Sequence, residues 1–281
     1  MGNLEETAKK QRYEKRIEHR FNPRFYENLV DFCHRFDVAN LFFDDIVVDG
    51  KENVESVKDS QLFYVSNHVS LADFLIQGYV FGKDKLPIPR FIAGENLNHF
   101  PFGYIWKKCG AISVDRNMSV RNRLYWRVYD SCVKKPLLNG ENLLNYGEGT
   151  RTGGRIRRFK TGTIGQVIDI VEQGNEILGV PIFIKYDKRV EDIFMKQIRK
   201  QKRKRDEALG QNKFVRASIH DRIYFGLDVL SFVARPFLTK GKVYLRFGKA
   251  FSISNFLEKT EGKKKIFLTD KFRQEIIKLS Q

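Results

Sequence analysis

Short apolar runs alternating with helical periodicity constrain this chain more than any other feature. Leu62–Val65, Arg90–Ala93, Ala111–Val114, Leu143–Tyr146, Ile177–Ile184 and Val243–Phe247 read as strands. Helical patterns separate most of them: Phe74–Phe81, then Val120, Leu124 and Val128, then Ile164, Val167, Ile168 and Val171, with Gly174 as a stop signal. Strands that alternate with helices predict an α/β fold with a mostly parallel or mixed sheet covered by helices. Pro181 inside an apolar run predicts an edge or a bulge there.

An N-terminal region precedes these runs. Phe25, Leu29, Phe32 and Phe36 recur at one helical face, which predicts an amphipathic helix that packs on the body or lies in a bilayer interface. The expected organisation is an amphipathic helical region over 1–50, an α/β domain over 51–250 and a C-terminal helical tail over 251–281.

At 281 residues with 42% hydrophobic residues, the chain has enough apolar mass for a real core. Its net charge of +17 favours anionic partners: phosphorylated substrates, acidic headgroups or nucleic acid. Seven cations in the ten residues 196–205 make a solvated face, a lipid-headgroup contact or a nucleic-acid contact. Cys33, Cys109 and Cys132 are far apart and form neither a disulfide framework nor a zinc signature, which fits a reducing compartment. The N-terminus lacks an apolar signal-peptide region, and no run approaches the roughly 18 apolar residues of a spanning helix. The expected location is the cytoplasmic face of a membrane, peripheral or monotopic.

Two motifs carry chemistry. Asn67-His68-Val69-Ser70-Leu71-Ala72-Asp73 follows a strand and leads into a helix, at the strand end where open α/β sheets place ligands. His68 reads as a general base, with Asp73 fixing its tautomer. The competing structural reading makes Ser70 and Asp73 a helix capping box and His68 a core residue. Ser70 is a rival nucleophile, but no Gly-x-Ser-x-Gly elbow surrounds it. Backbone N–H groups of Asn67–Ser70 are candidate oxyanion donors.

The second motif is Glu148-Gly149-Thr150-Arg151, followed by a basic stretch to Lys160. Arg151 can bind phosphate in bidentate fashion, and Lys160 precedes a helix start that favours anions. Glu148 would position Arg151 or an acceptor hydroxyl; alternatively, Glu148 and Arg151 form a surface ion pair. Arg116, which closes a strand, is either a second phosphate ligand or the partner of Asp115. Phe100–Trp106 is either a membrane or acyl-chain contact or core.

With these residues in place, the chain resembles the glycerolipid acyltransferases, the group of lysophosphatidate and glycerol-3-phosphate acyltransferases. Four blocks occur in the family's order: NHVSLAD at 67–73, GAISVDR at 110–116, EGTR at 148–151 and VPIFI at 180–184. The resemblance covers roughly residues 61–187. It implies His68 as general base, Asp73 as its partner, and Arg116, Glu148, Gly149, Thr150, Arg151 and Lys160 at the acceptor. It implies an acyl thioester donor on coenzyme A or acyl carrier protein, and no metal or redox cofactor. Gly94–Asn98 and Tyr186-Asp187 look like the glycerol-3-phosphate branch, whereas Val114-Asp115-Arg116 looks like the lysophosphatidate branch. A His–Asp thioester hydrolase and a non-enzymatic module binding nucleic acid or acidic lipid are the alternatives to the transferase.

Overall fold

The structure is a computed structural model and describes residues 2–95, 102–115, 118, 122–188 and 240–281. Its centre is an eight-stranded sheet: β1 (Asp45–Asp49), β2 (Leu62–Ser66), β3 (Pro89–Gly94), β4 (Ala111–Val114), β5 (Asn142–Tyr146), β6 (Leu178–Tyr186), β7 (Lys242–Phe247) and β8 (Phe251–Ser252). The strand order is β1-β7-β6-β2-β5-β3-β4, with β8 against β6. Pairing is parallel except where β6 meets β7 and β8. The expected mixed, mostly parallel sheet is therefore the observed one.

The helices are α1 (Gly2–Ile17), α2 (Pro23–Arg35), α3 (Val38–Phe42), α4 (Glu52–Glu55), α5 (Asp73–Lys83), α6 (Phe102–Lys108), α7 (Arg123–Leu138), α8 (Gly162–Val171), α9 (Ile253–Glu258) and α10 (Lys264–Leu279). They cover both faces of the sheet. Strand alternation assigns the residues: Leu62 and Tyr64 of β2 join α5 and Trp106 in one core, while Phe63 and Val65 join α7, α8 and α10 in the other. Every residue of β2 is buried, as a central parallel strand requires.

Three features refine the sequence reading. In α2, Asn22 caps the helix and Pro23 opens it, but the buried side chains are Tyr26 and Val30. Phe32 and Phe36 are exposed and touch each other, with ring centroids 4.8 Å apart. Pro181 lies inside the sheet, and of the two expected settings it takes the bulge: the antiparallel register of β6 shifts by one residue between Ile182↔Phe247 and Gly179↔Phe251. It occupies the break where β7 leaves β6 and β8 has not yet joined, with its carbonyl accepting from Gly248 N–H at 2.8 Å. A residue's N–H and C=O share one side of a strand, so the missing donor of Pro181 falls in that break. Finally, β1 has no counterpart among the expected strands. Its five residues, Asp-Ile-Val-Val-Asp, are too short a signal to stand alone, and β7 supplies its parallel partner.

Candidate active site

Central strand β2 has β5 on one side and β6 on the other, and the loops beyond their carboxyl ends form the site. Register does the first part of the assembly. Ser66 pairs with Tyr146, so His68 and Glu148 each lie two residues past the same rung. The ladder continues one step, with Gly147 N–H donating to Ser66 O at 2.9 Å. The backbone N–H of His68 then donates to Glu148 Oε2 at 2.9 Å. On the other side of the residue, His68 O accepts from Thr152 N at 2.9 Å and from Thr152 Oγ1 at 3.2 Å. Glu148 of the EGTR turn and Thr152 just after it thus grip the histidine backbone at both polar groups.

The imidazole is held separately. His68 Nδ1 and Asp73 Oδ2 are 2.7 Å apart, and Asp73 is fully buried. The same carboxylate oxygen accepts from Val69 N–H at 2.7 Å and Ser70 N–H at 3.1 Å, while Oδ1 accepts from Tyr186 Oη at 2.7 Å. With Nδ1 donating to a carboxylate, the ring lone pair is at Nε2. Tyr146 stacks on the imidazole at 4.4 Å between centroids, and Phe74 meets it edge-on at 5.6 Å.

Only the carboxylate half of the expected capping box forms: Asp73 accepts the Ser70 N–H while orienting the ring, whereas Ser70 Oγ accepts from Ala72 N–H and does not cap the helix. Other expectations at this loop are corrected. The N–H groups of His68, Val69 and Ser70 are engaged by Glu148 and Asp73, so they are not oxyanion donors. Ser70 is fully buried and its Oγ accepts from Ala72 N–H, which removes it as a nucleophile.

Glu148 is buried, with 3% of its surface exposed, so it is not part of a surface ion pair. Its Oε1 has no hydrogen-bond partner among the described residues. Burial pushes its carboxyl up to about 7, against the opposing effect of backbone N–H donors that include His68's. Tyr146, beneath the imidazole, donates to Gln77 Oε1 at 2.9 Å; Gln77 Nε2 donates to Ser66 Oγ at 2.8 Å, and Ser66 to Asn67 O at 3.0 Å. Burial holds the Tyr146 phenol well above its ordinary value, so it stays a donor.

The rest of the second motif forms a surface turn. Gly149 adopts φ +66°, a left-handed conformation suited to glycine. Thr150 is exposed, Arg151 half-buried and Lys160 exposed. Lys160 N–H returns to Gly147 O at 2.8 Å, and its Cγ would lie 3.5 Å from a Cβ on Gly149. Phe159 packs so closely over Gly147 that a side chain there would strike its ring. Arg116 lies outside the described residues, as do run 196–205 and Phe100-Pro101. Its neighbour Asp115 pairs with Arg16 of α1 at 3.1 Å, and Arg16 also pairs with Glu95.

Sequence reasoning missed two members of the site. Asn67 exchanges a pair of hydrogen bonds with the backbone of Ile184: Nδ2 to O at 3.0 Å, and N–H to Oδ1 at 2.8 Å. Tyr186 was legible only as a branch marker, although a tyrosine closing an apolar strand needs a polar partner for its hydroxyl. Among the described residues, no cluster of His, Cys, Asp and Glu could hold a metal ion.

Comparison with known proteins places this arrangement. The model of the acyltransferase family matches residues 45–185. A glycerol-3-phosphate acyltransferase from Shewanella sp. (strain ANA-3) is 27% identical over 243 residues, covering 84% of this chain and 28% of that protein. The enzyme of the same name from Shewanella baltica (strain OS155 / ATCC BAA-1091) is 26% identical over 240 residues, covering 83% and 27%. This chain thus spans little more than a quarter of the length of those curated relatives. Among solved structures, the 1-acyl-sn-glycerophosphate (LPA) acyltransferase PlsC from Thermotoga maritima aligns with a TM-score of 0.49 and 18% identity, over 90% of this chain and 79% of that one. The family model, which covers half of the sequence and encloses the His68, Asp73 and Glu148 cluster, shows that this chain belongs to the acyltransferase family.

Proposed function

We propose that the chain is an O-acyltransferase that moves a fatty acyl group from an acyl thioester to a hydroxyl of glycerol 3-phosphate or lysophosphatidate in phospholipid synthesis. One observation carries this reading: an imidazole oriented through Nδ1 by the buried Asp73 carboxylate, in a loop gripped by the EGTR turn. The names of the relatives make glycerol 3-phosphate the first acceptor to test.

In this mechanism His68 Nε2 removes the acceptor hydroxyl proton as that oxygen attacks the thioester carbonyl. Asp73 stabilises the imidazolium that forms. The tetrahedral intermediate collapses, the C–S bond breaks, and the thiolate takes the proton from the imidazolium. An ester and a free thiol result. Because the N–H groups of His68–Ser70 are engaged, the developing oxyanion takes its donors from elsewhere. Arg151 and Lys160, with Arg116, bind the acceptor phosphate, while Gly149 and Thr150 form the turn that presents them. The donor carrier is coenzyme A or acyl carrier protein; the chemistry calls for no metal or redox cofactor.

The enzyme meets its lipid at an anionic membrane surface in this reading. Exposed Phe32 of α2, Phe36 at its C-terminal cap and Leu41 of α3, together with the net charge of +17, support that contact. Among the described residues, no helix is long and apolar enough to cross a membrane.

The test is thiol release from long-chain acyl-CoA, and from acyl carrier protein, with wild type beside His68→Ala. Acceptors are glycerol 3-phosphate, lysophosphatidate or none. Acceptor-dependent release that falls by at least about 100-fold in the variant is expected. Release that needs no acceptor makes the protein a hydrolase, and undiminished activity in His68→Ala removes the base.

A further inference from the structure

We infer that Tyr186 is a positioning residue for the His68–Asp73 pair, completing a hydrogen-bonded chain of imidazole, carboxylate and phenol. The inference rests on the acyl-transfer reading of this site and deepens it.

Asp73 offers two oxygens to its surroundings. Oδ2 faces the His68 loop, where it meets the imidazole and two backbone N–H groups. Those contacts alone leave the carboxylate free to pivot about Oδ2. Tyr186 Oη donates to Oδ1 at 2.7 Å, from the opposite side, and fixes the carboxylate plane. A plane fixed at both oxygens fixes the Nδ1 bond, and with it the direction of the Nε2 lone pair.

The backbone delivers Tyr186 to that place. Ile182, Ile184 and Tyr186 share the β6 face that packs against the α5 side of the sheet. Parallel pairing with β2 is registered to Ser66 and Ile182, and the Asn67 amide then carries the register on to Ile184. Tyr186 is the next residue on that face. It is 6% exposed and its ring packs 6.2 Å from Phe43. Phenylalanine would fill the same space, so the hydroxyl is a separable feature with its own partner.

The phenol also sets how much charge Asp73 presents. A donor on Oδ1 draws negative charge away from Oδ2; without it, the carboxylate holds the imidazolium more strongly. Among the described residues, Glu148 at its backbone and Tyr146 at its ring also lie against His68, and Tyr186→Phe leaves both in place.

Four proteins decide the matter: wild type, Tyr186→Phe, Asp73→Asn and the double variant. In Tyr186→Phe, kcat should fall about 10- to 100-fold, the loss of one hydrogen bond to a charged group. Acceptor KM should stay within about twofold, and the acid limb of the pH–rate profile should move to higher pH. In the Asp73→Asn background, the same change should cost no more than about twofold, because the partner through which Tyr186 acts is gone. Equal losses in both backgrounds, or an unmoved profile with normal kcat, would overturn the proposal. A readout independent of turnover is the downfield proton resonance of His68 Nδ1–H, assigned by its loss in His68→Gln. It should shift in Tyr186→Phe. If wild type transfers no acyl group, the functional reading fails, and this resonance alone then decides: a shift sustains the Tyr186 chain and an unmoved resonance sinks it.

Discussion

Glu148 Oε2 accepts the backbone N–H of His68 at 2.9 Å, across 80 residues of sequence. The acid of the second motif therefore acts on the first motif's backbone, and its role is architectural before it is chemical. A buried carboxyl in that position carries an electrostatic penalty when ionised, which makes it sensitive to pH.

The sign of that sensitivity follows from Glu148's folded value of about 7, above the ordinary 4.5 that holds when unfolded. Between those values the folded state keeps a proton that the unfolded state has lost, so stability falls as pH rises through the window. The penalty, on the order of 3 kcal/mol when complete, is absent below the window and full above it. Glu148→Gln keeps an acceptor for His68 N–H and cannot ionise. Its melting temperature relative to wild type should rise between pH 5 and pH 8 by roughly 5 °C or more. A difference independent of pH would show that Glu148 does not titrate there.

Asn67→Ala removes both hydrogen bonds to Ile184 and leaves a buried N–H and C=O unsatisfied. The expected loss is about 1–3 kcal/mol, read by urea denaturation. Turnover should fall further than stability explains, because the β6 register that carries Tyr186 to Asp73 loosens. Unchanged stability would mean that water replaces the amide at no cost.

Gly147→Ala tests the turn. An ideal Cβ would lie 2.4 Å from Phe159 Cδ2, closer than any real contact, so the ring must move. Overpacking of this kind costs about 1–3 kcal/mol. Gly147→Ala combined with Phe159→Leu should recover part of the loss in thermal melting, whereas strictly additive losses would place the strain elsewhere.

Arg151→Ala and Lys160→Ala separate binding from chemistry. Each should raise acceptor KM about tenfold, the value of one charge-assisted contact, with a smaller change in kcat. The effect should weaken at high salt for Lys160, the more exposed cation. Unchanged KM in both variants would move the phosphate cradle to other residues.

Much of the site is legible in the sequence. His68, Asp73 and Ser70 are local neighbours, so strand-to-helix logic alone puts an acid within reach of a base. The oxyanion reading failed at His68–Ser70 for a physical reason: a sequence shows that N–H groups exist, not that Asp73 and Glu148 have already taken them. The α2 face was legible only in part, since Phe25 and Leu29 pack against the core as their period predicts. Phe32 and Phe36 fit the helical period of Phe25 and Leu29, but the helix turns Tyr26 and Val30 inward against its neighbours. Periodicity defines a stripe; the packing partner selects which edge of the stripe it covers.

By itself the sequence determined the local structure: strands mostly separated by helices, a histidine with a carboxylate at one loop, and a glycine-bounded basic turn at another. Those depend on propensities, capping and spacing within a few residues. Tertiary structure alone decided the strand order, the rung shared by Ser66 and Tyr146, and the convergence of Asn67, Glu148 and Tyr186 on one loop. Such contacts join segments far apart in the chain through interstrand register. Register is set by the burial of both sheet faces together, a property of the packed molecule that no single segment encodes.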